Sequence, residues 1–208
     1  MRVSVVGTGY VGLVSGVCLA EIGHDVVCVD VDSAKVAKIL EGTPPIFEEG
    51  LEEVLRRNLS RRFTATTDLR AAVLGSELTL IAVGTPFDGQ RIDLTYVRAA
   101  ATQIGAVLRD KPDYHVVVVK STVVPGTTDT VVLRLVEEAS GKRAGSGFGI
   151  GMNPEFLTEG QAVRDFMEPD RIVVGGADPR ATDALERLYA PFPNAPRIRT
   201  NPRSAETI

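Results

Sequence analysis

Four short segments of the chain carry the residue types that hold and transform charged ligands. In the first, Gly7-Thr8-Gly9-Tyr10-Val11-Gly12 follows the apolar run Val3-Ser4-Val5-Val6 and opens a second apolar stretch. Asp25-Val26-Val27-Cys28-Val29 then ends at Asp30. G-x-G-x-x-G between strand and helix, with an acid about 20 positions later, is the pattern that binds a dinucleotide. Gly7 allows the tight turn, Gly9 lets backbone approach a pyrophosphate, and Gly12 lets helix and strand pack closely. Tyr10 and Val11 begin the helix whose free N–H groups and partial positive charge face the phosphates. Asp30 accepts from the adenosine ribose hydroxyls, which bears on the choice of cofactor. A 2′-phosphate would lie against its carboxylate, and two unit charges ~4 Å apart cost ~4 kcal/mol at an effective dielectric of ~20. Even half of that favours NAD over NADP by more than tenfold. Lys35, a turn into the next helix, is a cation that could offset the repulsion.

The other three segments follow apolar runs. Gly84-Thr85-Pro86 follows Leu78–Val83, and Ser121-Thr122-Val123-Val124-Pro125-Gly126-Thr127-Thr128 follows His115–Lys120. Asn153-Pro154-Glu155-Phe156-Leu157-Thr158-Glu159-Gly160 follows 148–152. Taken singly, each is ordinary turn and capping chemistry. Ligands of open α/β sheets bind beyond the carboxyl ends of the strands, so three such turns beside the glycine turn make a site. Pro154 suits a first helical position, and a helical turn after it would put Glu155 and Glu159 on one face. A carboxylate partly buried beside a bound ligand has its pKa raised toward the range of a general base.

Positioning these turns requires a regular scaffold. Strands are predicted at 3–6, 25–29, 63–67, 78–83, 115–120, 148–152 and 171–175. Helices are predicted after Gly9 and near 32–40, 49–59, 95–108, 127–139 and 179–189, with Asp68 capping another. Fully apolar strands alternating with helices imply a Rossmann-like, doubly wound α/β domain, its mainly parallel sheet covered by helices on both faces. The expected division is an NAD-binding domain over 1–188, with 189–208 beginning a connection elsewhere.

Composition narrows the class further. The 208 residues suffice for one large domain. A net charge of −4 argues against nucleic-acid and membrane-surface partners. No apolar run approaches the ~20 residues of a membrane span, and the N-terminus lacks a secretory layout, so the expected location is cytoplasmic. Cys18 and Cys28 lie among apolar neighbours and read as buried, inert thiols. His24 and His115 have no neighbouring ligand set, so no metal site is expected.

Taken together, the motifs resemble the UDP-glucose/GDP-mannose dehydrogenase family, in its N-terminal NAD-binding domain. The resemblance spans essentially the whole chain. It is carried by G-T-G-Y-V-G at 7–12, V-D-V-D at 29–32, V-G-T-P at 83–86 and K-S-T-V-V-P-G-T-T at 120–128. N-P-E-F-L-T-E-G at 153–160 and D-F-M-E-P-D-R-I-V-V-G at 165–175 complete it. Members oxidise the C6 alcohol of a nucleotide sugar to a carboxylate in two NAD-dependent steps, through an aldehyde and a thioester on a cysteine. The resemblance implies a water-holding role for Thr122 and a carboxylate for acid–base work and thioester hydrolysis at Glu159. It places Glu155, Phe156 and Leu157 by the sugar nucleotide, with UDP-glucose the expected substrate and GDP-mannose the alternative. Gly84, Thr85, Pro86, Ser121, Thr122 and Glu159 join the glycine turn in cofactor binding.

The family's lysine, asparagine and nucleophilic cysteine correspond to positions after Ile208, as do its connecting helix and substrate domain. The expectation is therefore an NAD-binding half with little or no turnover of its own. The parent is expected to dimerise through that helix. A stand-alone NAD-binding or sensing module is the non-enzymatic alternative.

Overall fold

The computed structural model describes residues Met1–Ile208. Eight strands form one sheet in the order β3-β2-β1-β4-β5-β6-β7-β8. They are β1 Arg2–Val6, β2 Asp25–Val29, β3 Phe63–Thr66, β4 Leu78–Ile81, β5 His115–Val119, β6 Phe148–Met152, β7 Ile172–Gly176 and β8 Arg197–Thr200. Side chains alternate across a strand, and the alternation here divides the core in two. Val116 and Val118 of β5 join one apolar cluster; Val117 and Val119 join the other. The first face is covered by α1 (Tyr10–Glu21), α2 (Ser33–Leu40), α3 (Leu51–Asn58), α7 (Ala162–Met167) and α8 (Pro179–Leu188). The second is covered by α4 (Leu69–Gly75), α5 (Thr95–Leu108), α6 (Leu133–Ser140) and α9 (Pro202–Ala205). A π-helical stretch, Thr127–Val132, runs directly into α6.

The chain builds outward from β1 to β3, then returns to start β4 on the other side of β1. That reversal opens a crevice beyond the ends of β1 and β4, the place where doubly wound sheets take ligands. Helix α1 starts there. It is buried continuously from Gly12 to Ala20 because sheet lies on one side and α3 and α7 on the other, so apolar residues encircle it. Gly16 makes that closeness possible: a Cβ there would lie 2.4 Å from Cys28 Sγ. As the sequence suggests, Asp68 caps α4, its side chain accepting from Ala71 N.

Two features differ from the sequence reading, and one strand pair refines its mainly parallel sheet. Residues 189–208, expected to lead away, add to the same sheet: β8 pairs parallel with β7, and α9 packs against β7 with Ala205 fully buried. The polar run Arg197-Ile198-Arg199-Thr200 gave no strand signal, since β8 is an edge strand with half-exposed side chains. The pair β6–β7 is antiparallel, so the connection 153–171 returns at the ligand-facing end of the sheet. No helix follows Pro154; residues 153–158 are irregular, and the expected one-face pairing of Glu155 and Glu159 does not form.

Candidate functional site

At the glycine turn the three glycines meet three different surroundings. Gly7 has φ +102°, and a Cβ on it would lie 2.6 Å from Ala82 O of the neighbouring strand end. At Gly12 a Cβ would lie 2.0 Å from Gly7 O. Gly9 is exposed, and its added Cβ would meet nothing within 4 Å. Two of the glycines thus serve packing, and the third leaves open space over the start of α1. No side chain caps that helix, so its first N–H groups remain available to an anion. Tyr10 and Val11, half-buried, are the first residues of the helix.

Asp30 stands across the turn at the end of β2. Its Oδ2 accepts from Thr8 N at 2.9 Å and Thr8 Oγ1 at 2.6 Å, and its Oδ1 accepts from Asp32 N at 3.0 Å. Burial alone would raise this carboxyl, but the Thr8 and Asp32 hydrogen bonds and the Lys35 charge hold it below the usual range. It is ionised at neutral pH. Lys35 is half-buried in the first turn of α2, and Asp32 caps that helix. A carboxylate fixed by its own turn, an uncapped helix start and an unobstructed Gly9 together fit an adenine dinucleotide.

The turns after β4 and β5 are strapped together. Ser121 Oγ donates to Val83 O at 2.6 Å, and Thr85 Oγ1 donates to Thr122 O at 2.7 Å. Ser121 is buried and its proton is committed to that strap; Thr122 is exposed, with a hydroxyl that donates to nothing in the chain. Gly84 and Pro86 lie exposed beside them. Of this group, Thr122 is the exposed side chain whose hydroxyl is uncommitted.

The segment after β6 lines a cleft of about 160 Å³ that includes Lys120, Asn153, Glu155, Phe156, Leu157 and Arg171. Its floor is polar and buried. Asn153 Oδ1 accepts from Lys120 Nζ at 3.0 Å and from Tyr189 OH at 2.5 Å, while its Nδ2 donates to Val173 O at 2.9 Å. Burial pushes the Lys120 ammonium down to about 8, against the upward pull of Glu155. Half-buried Glu155 accepts from Leu157 N at 2.7 Å, folding the segment on itself. Arg171 lies over the Phe156 ring, 4.0 Å from its centroid. Glu159 is exposed, so this domain alone does not supply the burial that the general-base argument invoked.

The structure therefore gathers the glycine turn, Thr122 and the 153–160 segment at one edge of the sheet. It also reveals residues that the sequence did not single out. Lys120 and Asn153 stood only at the heads of motifs with no role of their own, and Glu48, in Phe47-Glu48-Glu49-Gly50, gave no signal at all. Glu206 is a fourth: its carboxylate accepts from Thr128 N at 2.7 Å and from Gly126 N, holding the start of the π-helical stretch.

A family model described as the UDP-glucose/GDP-mannose dehydrogenase family, NAD binding domain, matches residues 1–193. The chain belongs to this family. It is the NAD-binding domain, and its cofactor is NAD. A UDP-glucose 6-dehydrogenase of Haloferax volcanii is 46% identical, with 100% of this chain aligned to 49% of the relative. A GDP-mannose 6-dehydrogenase of Pseudomonas aeruginosa is 44% identical, with 100% aligned to 48%. Among solved structures, a ternary complex of GDP-mannose dehydrogenase from Pseudomonas aeruginosa superposes with a TM-score of 0.96 at 44% identity, covering 100% of this chain and 48% of that one. A UDP-glucose dehydrogenase from Pyrobaculum islandicum gives 0.93 at 45% identity, covering 99% and 47%. The chain spans about half the length of the curated relatives it matches. Nucleotide-sugar dehydrogenases are the relatives; UDP-glucose and GDP-mannose enzymes stand at nearly equal identity.

Proposed function

We propose that residues 1–208 form the NAD-binding half of a nucleotide-sugar 6-dehydrogenase that oxidises a C6 alcohol to the carboxylate, UDP-glucose being the first substrate to test. The observation that carries this reading is the convergence at one sheet edge of the glycine turn with Asp30, the exposed Thr122 and the 153–160 segment. Bound NAD would supply the hydride acceptor, one NAD molecule for each of the two oxidations. The chain's own groups orient the reactants around it. Asp30 fixes the adenosine ribose, the α1 N-terminus takes the pyrophosphate, and Lys35 moderates the local negative charge. Gly84, Thr85, Pro86 and Ser121 shape the wall beside the cofactor, and Thr122 holds a water by its free hydroxyl. Glu155, Phe156 and Leu157 line the side from which the sugar nucleotide enters, and Glu159 moves the proton.

A thioester route needs a nucleophilic thiol. Cys18 and Cys28 do not fit: both are fully buried, and burial pushes the Cys18 thiol up to about 12 and Cys28 higher still. The thiol, and with it turnover, is therefore assigned to a segment outside residues 1–208. Calorimetric titration tests the reading. NAD is expected to bind the 208-residue polypeptide, which should oxidise little UDP-glucose or GDP-mannose. No NAD binding would overturn the proposal; so would steady-state oxidation at a rate comparable with a full-length relative.

A further inference from the structure

Glu48 is a buried carboxylate, 6% exposed, on the loop between α2 and α3, far in sequence from every motif above. Its Oε2 accepts from Tyr10 OH at 2.6 Å and from Gly160 N at 2.9 Å, and its Oε1 accepts from Ala162 N at 2.8 Å. Tyr10 is the residue with which the cofactor helix begins, and its phenol oxygen also lies 3.0 Å from Thr158 O. Thr158 O and Gly160 N belong to the two peptide groups that flank Glu159. Thr158 N is held too, donating to Asp165 Oδ2 at 2.8 Å, and Gln161 N closes the turn on Thr158 O at 2.9 Å. Gly160, at φ +88°, supplies the left-handed conformation that this turn needs. Glu159 is thus fixed through its backbone on both sides while its side chain stays exposed.

We propose that Glu48 and Tyr10 are positioning residues that tie the start of the cofactor helix to the Glu159 turn, so that seating NAD and orienting Glu159 are one coupled event. The assignment of Glu159 to proton transfer rests on the function proposed above; the mechanical tie does not. The charge state suits the task. Burial alone would raise the Glu48 carboxyl, but hydrogen bonds from Tyr10, Gly160 and Ala162 keep it below the usual range, so it is an acceptor throughout the neutral region. Burial and the Glu48 bond push the Tyr10 phenol well above its ordinary value, so it remains a donor. A helix that shifts at its first turn on binding a dinucleotide must carry the Tyr10 phenol with it, and the phenol bears directly on Thr158 O.

Residue-resolved amide exchange of the whole 208-residue chain, with and without NAD, tests the tie. In the wild type, NAD should slow exchange at Gly160 and Ala162 as well as in the glycine turn. Glu48→Gln should speed exchange at Gly160 and Ala162 by ~10-fold or more, the effect of losing a bond to a charged acceptor, without a matching change in β5 or β6. Tyr10→Phe removes only the phenol hydroxyl from the tie; at NAD concentrations that saturate the variant, the NAD-dependent slowing at Gly160 should be lost. The proposal is overturned if Tyr10→Phe retains that slowing, if Glu48→Gln leaves Gly160 unchanged, or if exchange rises equally across the domain. Failure of the wild type to bind NAD would instead overturn the proposed function, while the effect of Glu48→Gln on Gly160 would still report the latch.

Discussion

Gly9 and Gly12 stand three residues apart in one turn, yet alanine at the two positions should fail in opposite ways. At Gly12 the new methyl would lie 2.0 Å from Gly7 O and 3.2 Å from Ala82 Cβ. Ordinary carbon contacts are about 3.5–4.0 Å, so something must move by more than an ångström. Gly7 cannot yield easily: its N donates to Val29 O at 2.8 Å, and its own Cα faces Ala82 O. Overpacking of this kind costs up to ~3 kcal/mol, and the better helix propensity of alanine returns ~1. The net loss is up to about 2 kcal/mol, which for a domain of this size lowers Tm by as much as about 4–8 °C. At Gly9 the methyl meets nothing, and φ −71° suits any residue, so only a weaker N-cap, costing ~0.5–1 kcal/mol, acts on stability. The same methyl occupies the space through which a pyrophosphate approaches. Losing one charge-assisted hydrogen bond there costs ~1.5–3 kcal/mol, or about 10–100-fold in NAD affinity. Thermal unfolding of both variants and calorimetric NAD titration at a temperature where both are folded separate the effects. The reasoning fails if Gly12→Ala melts with the wild type, or if Gly9→Ala binds NAD normally.

Asp30→Asn should raise NADP affinity relative to NAD by about 30-fold, the equivalent of removing half of a ~4 kcal/mol repulsion between charges ~4 Å apart; paired titrations of the two nucleotides measure it, and a wild type that prefers NADP would contradict the argument. Acid sensitivity should follow His115, which is fully buried against Thr79 Oγ1 at 2.7 Å, and whose pKa is pushed down by burial to about 3. The unfolded imidazole takes a proton below about 6.5 and the folded one only near 3, so this contribution is complete above pH 6.5 and lost as pH falls toward 3. Urea unfolding at pH 7 and pH 4.5 should show a smaller drop for His115→Gln than for wild type; equal drops would refute it.

Much of the site was legible because its residues do local work. The glycine turn, Asp30 and the Asp68 cap are specified by backbone geometry within a few positions, and the structure keeps all of them in those places. The turns after β4 and β5 were readable as polar punctuation at strand ends. What was misread depended on partners distant in sequence. Pro154 suggested a helical turn, but Asn153 is held by Lys120 and Tyr189 and Thr158 by Asp165, and these bonds favour an irregular path. Arg197–Thr200 has no apolar alternation, so only pairing with β7 makes it a strand. Glu48 carries no local mark, since a buried carboxylate needs donors that come from residues 10, 160 and 162.

By itself the sequence determined the doubly wound fold class, the glycine turn with an acid at the end of the second strand, and the family. Strand and helix periodicity and the conformational needs of glycine are short-range properties, written into neighbouring residues. Only the tertiary structure decided that Gly9 alone among the three motif glycines leaves room for a ligand, because the obstacles at Gly7 and Gly12 are other backbone atoms. The antiparallel return of β7 and the parallel addition of β8 were likewise decided there, since strand direction follows from how a connection packs. The tie between Tyr10, Glu48 and the turn at Glu159 exists only once α1, the loop after α2 and the 158–162 segment have been folded against one another.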